Sequence, residues 1–232
     1  MKSLPNGYNA LLIGSTGEIG SAFAEYLEKD PGCSNLVRLS RNSTPPLDYN
    51  DESSIADAAR QLRSQAPFHL ILITTGMLHQ ANQLPEKRLS GLTAQQMADN
   101  FRINTIGPAL TIAQFSPLLA RDSRSLMGVL SAKIGSIGDN RLGGWYSYRA
   151  SKAALNMVVR TAAIELARTH PMAALVALHP GTVNSRLSAP FRGAEIGRPA
   201  TDAASDLLSV LDQLSSDNSG TFWSYNGEQL PW

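Results

Sequence analysis

Two side chains with complementary acid–base chemistry stand four residues apart in the segment Tyr148-Arg-Ala-Ser-Lys152. In a helix, residues four apart lie on the same face, so the phenol and the ammonium would point into one crevice. The pKa of a free tyrosine is about 10, too high for easy proton transfer near neutrality, and a nearby ammonium favours the phenolate and lowers that pKa. We therefore predict that Tyr148 is a general acid/base for a carbonyl or alcohol oxygen and that Lys152 supports it.

A glycine-rich turn, Gly14-Ser-Thr-Gly17-Glu-Ile-Gly20, lies between the apolar run at residues 10–13 and an amphipathic segment. Glycines permit a tight turn and let the backbone approach a pyrophosphate at a helix N-terminus. A tight turn without a ligand is the alternative, and a Walker-type loop is disfavoured because Ser21 stands where it needs lysine. The residues predicted to bind a dinucleotide here are Gly14, Ser15, Thr16, Gly17, Ile19 and Gly20.

The end of the second apolar run indicates which nicotinamide cofactor is used. An acid about twenty residues after the glycine turn would bind the adenosine ribose hydroxyls of NADH, whereas an arginine accommodates the 2′-phosphate of NADPH. The segment Val37-Arg-Leu-Ser-Arg-Asn42 contains no acid, and Arg41 offers a planar donor fork that suits a phosphate. NADPH is therefore predicted over NADH. A solvated Arg41 is the alternative, because Arg38 is equally basic nearby.

Short, continuously apolar runs alternate with amphipathic segments along the chain. Runs without polar alternation are typical of strands buried on both faces, and stripes at helical spacing indicate helices. Their alternation predicts an α/β fold with a Rossmann-type doubly wound parallel sheet. We expect residues 1–232 to form a single NAD(P)-binding domain with a substrate loop at about 185–201. The strand-like runs are residues 10–13, 36–39, 69–73, 126–130, 174–178 and 221–225, and the helical stripes are residues 19–27, 55–62, 97–119, 153–166 and 203–214.

Composition excludes several classes of protein. The chain of 232 residues has a formal net charge of +1, which gives no support for nucleic-acid or membrane-surface binding. The single cysteine, Cys33, cannot form an internal disulfide, and the four histidines are scattered, so we expect no metal site. No apolar run has the length of a membrane span or a signal-peptide core, so a cytoplasmic protein is expected.

Three longer motifs extend this pattern. They are Gly143-Gly-Trp-Tyr-Ser-Tyr-Arg-Ala-Ser-Lys-Ala-Ala-Leu-Asn156, Leu178-His-Pro-Gly181 and the ending Tyr225-Asn-Gly-Glu-Gln-Leu-Pro-Trp232. The sequence resembles the short-chain dehydrogenase/reductase family over nearly the whole chain, and these motifs resemble its C-factor and sniffer-like carbonyl-reductase branch. The resemblance implies a Rossmann fold, hydride transfer between NAD(P)H and a carbonyl or alcohol, and a catalytic set of Asn, Ser, Tyr and Lys. It also implies a homodimer or homotetramer.

The resemblance assigns roles to further residues. Asn104 matches the family asparagine that kinks a helix and holds a relay water, and Lys152 would also hold the nicotinamide ribose hydroxyls. Asp48 matches the acid near the adenine. The alternatives are that Asn104 only caps or bends a helix and that Asp48 is an ordinary turn acid. The remaining residues matched to the cofactor are Thr75 and Gly76, in a Thr-Thr-Gly that replaces the family's Asn-Ala-Gly, and Pro180, Gly181, Val183 and Ser185 beside the nicotinamide carboxamide.

Two further departures from the family pattern concern the site. Glu18 stands where the family usually has a glycine, which suits the helix dipole but is less welcoming to a phosphate. The strand that normally ends in Ser-Ser, with the second serine catalytic, ends here in Ser131-Ala132. We assign the catalytic serine to Ser131, with Ser136 or a mechanism without a serine as alternatives. The assignment is a hypothesis, because adjacent strand residues point to opposite faces.

The predicted function is the NADPH-dependent reduction of a small-molecule carbonyl, or oxidation of the alcohol, with Tyr148 as general acid/base. The alternative is a non-catalytic NADP(H)-binding sensor or signalling protein, which Ala132 favours and the intact Tyr148 and Lys152 oppose. An epimerase or dehydratase of the extended family would need a longer C-terminal substrate region. The substrate itself is not predicted. Arg186, Arg192 and Arg198 in the crevice loop would suit an anionic group of the substrate, and the alternative is that they are solvated residues of a surface loop.

Overall fold

One sheet of seven strands runs through the computed structural model, which describes residues 1–80 and 83–232. The strands are β1 (Tyr8–Ile13), β2 (Cys33–Leu39), β3 (Leu70–Ile73), β4 (Ser125–Leu130), β5 (Ala173–His179), β6 (Phe222–Ser224) and β7 (Gln229–Leu230). Their spatial order is β2-β1-β3-β4-β5-β6-β7, with parallel pairing from β2 to β6. Because the chain crosses from β2 to the far side of β1, the carboxyl ends of β1 and β3 meet at a topological switch point, where α/β sheets bind ligands.

Strands β3, β4 and β5 are buried on both faces, as their apolar runs predict, whereas most residues of the edge strand β2 are half-buried or exposed. Every residue of β3 and β4 is buried, and so is every residue of β5 before His179. Ile13, Ile73, Val129 and Ala177 stand in register across four neighbouring strands, so one apolar row crosses the sheet. The predicted doubly wound sheet in a single domain is confirmed. One departure is β7, which pairs antiparallel with β6.

Helices cover both faces of the sheet. They are α1 (Glu18–Lys29), α2 (Glu52–Leu62), α3 (Ala94–Phe101), α4 (Gly107–Phe115), α5 (Tyr146–Leu166), α6 (Gly193–Ile196) and α7 (Ala200–Gln213). On one face, α1 and α7 bury Phe23 and Leu211, and on the other α2, α4 and α5 bury Ile55, Phe115 and Leu155. The apolar stripes of these helices therefore form two separate cores, one on each side of the strands.

The spacing of apolar residues from 97 to 119 suggested one continuous helix, but the structure interrupts this segment twice. A π-helical turn, Arg102–Ile106, separates α3 from α4, and a 3₁₀ turn, Ser116–Leu118, follows α4. Pro117 lies at the start of that 3₁₀ turn and cannot donate the backbone hydrogen bond that would continue α4. The π turn contains Asn104, so the helix is irregular at a residue singled out for the site.

The predicted substrate loop contains more regular structure than its aperiodic sequence suggested. Residues Ala189–Phe191 form a 3₁₀ turn, α6 follows it, and α7 begins at Ala200. Short turns of this kind have no apolar stripe, which is why the hydrophobic pattern missed them. Within residues 1–80 and 83–232, no helix combines the length and apolar character needed to cross a membrane.

Candidate active site

Tyr148 and Lys152 lie one turn apart near the N-terminus of α5, and both are buried, at 8% and 3% exposure. Burial raises the pKa of the Tyr148 hydroxyl above its ordinary value of 10.0, because the phenolate would lose its hydration. The lowering of this pKa by Lys152 that we expected is therefore not present here, since desolvation dominates. Among the described residues, no side chain or backbone group forms a hydrogen bond with the Tyr148 hydroxyl. Tyr148 thus keeps its proton near neutrality.

The hydrogen-bond donors of Lys152 show whether this site suits a dinucleotide. Burial lowers the pKa of Lys152 from 10.5 to about 7. Its Nζ donates to the Leu130 carbonyl oxygen at 2.9 Å. The ammonium has three N–H donors, and in the described part of the chain this oxygen is their one acceptor. A Cβ added to Gly76 would lie 3.7 Å from this Nζ, so the ammonium borders the loop that follows β3. Two unused donors on a buried cation fit the vicinal hydroxyls of a nicotinamide ribose.

Asn104 connects the loop after β3 to α5. Its Oδ1 accepts the Met77 N–H at 2.8 Å, and its Nδ2 donates to the Met77 carbonyl oxygen at 2.7 Å. The same Nδ2 lies 3.1 Å from Ser151 Oγ, which donates to the Tyr148 carbonyl oxygen at 2.9 Å. The structure therefore brings Asn104 next to the turn of α5 that carries Tyr148. That Asn104 binds a relay water stays a prediction.

The glycine turn brings the start of α1 against the end of β1. Gly14 has φ of +87°, a left-handed conformation that favours glycine, and the Gly17 N–H donates to the Gly14 carbonyl oxygen at 3.2 Å. A Cβ on Gly20 would collide with that carbonyl. The turn is therefore as tight as a pyrophosphate loop requires, and the N-terminus of α1 lies beside it.

The other predicted loop residues differ in what their side chains do. Ser15 Oγ donates to the Leu39 carbonyl oxygen at 3.1 Å, Thr16 is exposed and Ile19 is half-buried. Thr75 Oγ1 donates to the Tyr49 hydroxyl at 3.1 Å. Ser15 and Thr75 can therefore meet a cofactor mainly through their backbone, whereas Thr16 presents its side chain.

Two arginines near the end of β2 have different surroundings. Arg38 Nη1 forms an ion pair with Glu28 Oε1 at 2.7 Å. Arg41 is exposed and forms no ion pair with any residue in 1–80 or 83–232. The Asp48 carboxylate accepts from Asn50 N at 3.0 Å, which is the turn-acid arrangement that we gave as the alternative to adenine binding. The Leu39 carbonyl oxygen accepts the Gly14 and Ser15 N–H groups, so the end of β2 adjoins the glycine turn, and of the two arginines there Arg41 is the one free of an ion pair within residues 1–80 and 83–232.

The segment after β5 forms the opposite wall of the crevice. Gly181 has φ of +77°, and a Cβ there would lie 2.8 Å from the Tyr225 ring. Val183 is buried and pairs through a bridge with Arg198, whose guanidinium lies 4.1 Å above the Tyr225 ring centre. Ser185 Oγ lies 3.3 Å from the Val183 carbonyl oxygen, and Pro180 is half-buried. The predicted nicotinamide segment is therefore held in one conformation from two sides.

The Ser131 side chain contacts the middle of α5. Its buried Oγ donates to Asn156 Oδ1 at 2.6 Å, one helical turn beyond Lys152. Ser136 is also buried, and its Oγ accepts the Asp139 N–H at 3.1 Å. Among the described residues neither serine forms a hydrogen bond with Tyr148. This geometry favours the alternative in which no serine completes the set, and Ser131 as a catalytic residue stays a prediction.

Sequence patterns missed two contacts that border the site. Glu18 Oε1 accepts from Arg186 Nε at 2.8 Å and from its backbone N–H at 3.1 Å, which joins the start of α1 to the substrate loop. Phe191 of that loop packs on Trp145, with ring centres 4.7 Å apart, and the Trp145 ring meets Tyr148 at 6.4 Å. The only sequence signal for the first contact was an acid at the usual glycine position.

Comparisons with known proteins agree with this geometry. The model of the short chain dehydrogenase family matches residues 40–195. The chain is 35% identical over 136 residues to the C-signal protein of Myxococcus xanthus, covering 59% of this chain and 78% of that protein. It is 30% identical over 188 residues to a 1-hydroxy-2-glutathionyl-2-methyl-3-butene dehydrogenase of Rhodococcus sp. (strain AD45), covering 81% and 79%.

A solved structure shares the fold along the whole chain. The NADPH-bound carbonyl reductase from chicken fatty liver aligns with a TM-score of 0.82 and 25% identity, over 99% of this chain and 100% of that one. The resemblance to the C-factor branch and to carbonyl reductases is therefore confirmed. With two thirds of the chain matched by the family model and the dinucleotide fold in place, this protein belongs to the short chain dehydrogenase family, which consists of NAD(P)-dependent oxidoreductases.

Proposed function

We propose that this protein reduces a small-molecule carbonyl with NADPH, using Tyr148 as the proton donor. The observation that carries the proposal is the buried pair Tyr148 and Lys152, one helical turn apart beside the carboxyl ends of the parallel strands. The Tyr148 hydroxyl is free of hydrogen bonds to the described residues, so its proton can pass to a bound ligand. Such a group suits donation to a carbonyl oxygen that gains negative charge.

The chain's own residues would divide the work as follows. Tyr148 would donate its proton to the carbonyl oxygen, and Lys152, whose Nζ has donors left beyond its bond to the Leu130 carbonyl oxygen, would hold the ribose hydroxyls. Asn104 keeps the loop after β3 in contact with α5, so the crevice holds its shape during the reaction. When bound, NADPH would supply the hydride for the reduction.

Arg41 supports NADPH over NADH. Arg41 is exposed and follows by two residues Leu39, whose carbonyl oxygen contacts the glycine turn, whereas Arg38 is already paired with Glu28 at 2.7 Å. An arginine–phosphate contact is charge-assisted and can be bidentate, so it discriminates strongly between the two cofactors. The NADPH named for the chicken carbonyl reductase agrees with this choice.

A second candidate is an NADP(H)-binding signalling protein without turnover. Ala132 at the usual serine position favours it, and so does the likeness to the C-signal protein. The two candidates differ in one outcome, which is oxidation of bound NADPH by a carbonyl.

A homodimer or homotetramer is part of the proposal. The side chains of Met157 and Ile164, seven residues apart on α5, are 67% and 51% exposed, and Ile106 of the π turn is 51% exposed. Large apolar side chains on one helix face suit a second copy of the chain. Light scattering on the purified protein tests this, and a monomer at micromolar concentration would contradict it.

The test of the function is a titration with NADPH and NADH followed by a panel of aldehydes, ketones and quinones, monitored by nicotinamide absorbance. We expect tighter binding of NADPH and turnover with at least one carbonyl. Tighter binding of NADH would contradict the role of Arg41. NADPH binding without turnover across the panel would favour the signalling candidate.

A further inference from the structure

The first turn of α5 lacks a cap from its own sequence. Trp145 occupies the N-cap position in the left-handed conformation, with φ 52° and ψ 44°, and its side chain makes no capping hydrogen bond. Gly143 and Gly144 before it have φ of +64° and +65°. The first N–H groups of a helix have no intrahelical acceptor, so an uncapped first turn opens readily. Tyr148 is the third residue of this turn.

Glu86 supplies the cap from a distant part of the chain. Its Oε2 accepts the Ser147 N–H at 3.2 Å, its Oε1 accepts the Ser147 hydroxyl, and its carbonyl oxygen accepts the Trp145 N–H at 2.5 Å. Glu86 is only 5% exposed, and Ser147 is fully buried. A carboxylate at a helix N-terminus is stabilised by the helix dipole and by charge-assisted hydrogen bonds, which offset its desolvation. The buried Glu86 carboxylate therefore holds Ser147, and the Glu86 backbone holds Trp145.

We propose that Glu86 is a positioning residue, which holds the first turn of α5 so that the Tyr148 hydroxyl stays aimed at the substrate. This inference rests on the proposed function, because it takes Tyr148 as the proton donor. Glu86 acts through Ser147 and Trp145 and does not itself exchange a proton with the substrate. The Trp145 ring lies 6.4 Å from the Tyr148 ring, so the start of α5 also brings a second aromatic side chain next to Tyr148.

The chain contains a matched control. The Asp51 carboxylate caps α2 in the same manner, accepting from Ser53 N at 3.1 Å and from Ser53 Oγ at 2.7 Å. Asp51→Ala therefore removes an equivalent cap from a helix without proposed catalytic residues. Any loss that reflects capping alone appears in both variants, whereas a loss due to Tyr148 appears in Glu86→Ala only.

The experiment compares Glu86→Ala, Glu86→Gln and Asp51→Ala in steady-state kinetics and in amide hydrogen exchange of the peptide that spans residues 145–151. For Glu86→Ala we expect kcat to fall about 10- to 100-fold with KM changed by less than about threefold, because a misplacement near 1 Å costs this much. Exchange should accelerate in the first turn of α5. Glu86→Gln keeps an acceptor oxygen and should recover most of kcat, whereas Asp51→Ala should stay within about twofold of the parent kcat.

Equal effects of Glu86→Ala and Asp51→Ala on kcat, or unchanged exchange at residues 146–149, would overturn the role of Glu86. If Glu86→Ala does not fold, Glu86→Gln decides by the same two readouts, with a smaller kcat loss and faster exchange expected. Tyr148→Phe is measured in parallel. Loss of turnover in Tyr148→Phe with normal turnover in Glu86→Ala refutes only this inference, and retained turnover in Tyr148→Phe refutes the proposed function as well.

Discussion

Replacing Lys152 by methionine should make the free protein more stable while it weakens cofactor binding. Lys152 is 3% exposed, and burial lowers its pKa from 10.5 to about 7. Below pH 7 the folded protein therefore has to hold a buried cation whose one acceptor in the described part of the chain is the Leu130 carbonyl oxygen. Methionine has similar length without a charge, so Lys152→Met removes that desolvation cost.

The size of the effect follows from the pKa. A group whose folded-state pKa drops from 10.5 to about 7 destabilises the folded state by on the order of 5 kcal/mol at pH 6 and 2 kcal/mol at pH 9. The sign follows from proton binding: between about pH 7 and pH 10.5 the unfolded chain binds more protons, so the stability of the parent rises with pH. The variant loses the hydrogen bond to Leu130 O, which costs about 1–3 kcal/mol. A net gain of about 2–4 kcal/mol at pH 6 remains.

The assay is equilibrium urea unfolding of the cofactor-free protein at pH 6 and pH 9. The stability advantage of Lys152→Met over the parent should shrink by about 3 kcal/mol between these two pH values. Lys133, whose side chain is 44% exposed, provides the control, and Lys133→Met should show little change in its difference from the parent. A Lys152→Met protein that is less stable than the parent at pH 6, or a difference that does not vary with pH, would refute the reasoning.

Three further predictions concern single residues. Arg41→Ala should weaken NADPH binding about 10- to 100-fold and leave NADH binding unchanged, whereas Arg38→Ala should alter neither; equal weakening of both cofactors in Arg41→Ala would contradict the phosphate contact. Ser131→Ala should lower kcat by less than about threefold and the free energy of unfolding by about 1 kcal/mol, because the Ser131 hydroxyl donates its hydrogen bond to Asn156. Kinetics and urea unfolding measure the two effects, and a hundredfold loss of kcat would identify Ser131 as the catalytic serine. Glu18→Gln should speed NADPH release about two- to fivefold in stopped flow, because it weakens the ion pair with Arg186 that joins the start of α1 to the substrate loop. The Arg186 side chain is 83% exposed, so the expected effect is small, and a slower release would show that this ion pair does not retain the cofactor.

The sheet and the central pair of the site were predictable from the sequence because both depend on local patterns. Apolar runs locate β1 to β5 within a few residues, and the spacing of Tyr148 and Lys152 requires only that α5 be helical. The π turn at Asn104 was predictable as a helix irregularity through the family resemblance, although the hydrophobic stripe ran through it without interruption.

The remaining parts of the site depend on contacts between distant residues. Glu86 and Ser147 are 61 residues apart, and Glu18 and Arg186 are 168 apart, so no spacing rule joins them. The direction of the Ser131 hydroxyl is fixed by Asn156 on α5, and a strand pattern gives the alternation of faces without saying which face meets which helix. The direction of the pKa shift at Tyr148 could not be predicted from the sequence either. It depends on how deeply Tyr148 and Lys152 are both buried, and burial lowers the pKa of Lys152 as well.

Tyr148→Phe tests the central claim most directly, because it removes one oxygen and leaves the ring. The measurement is kcat for the best carbonyl substrate at saturating NADPH, with the NADPH dissociation constant determined on the same preparation. We predict a fall in kcat of about 10²- to 10⁴-fold, typical of a lost general acid, with NADPH affinity changed by less than about threefold. A kcat within about threefold of the parent would show that Tyr148 does not donate the proton and would contradict the proposed mechanism.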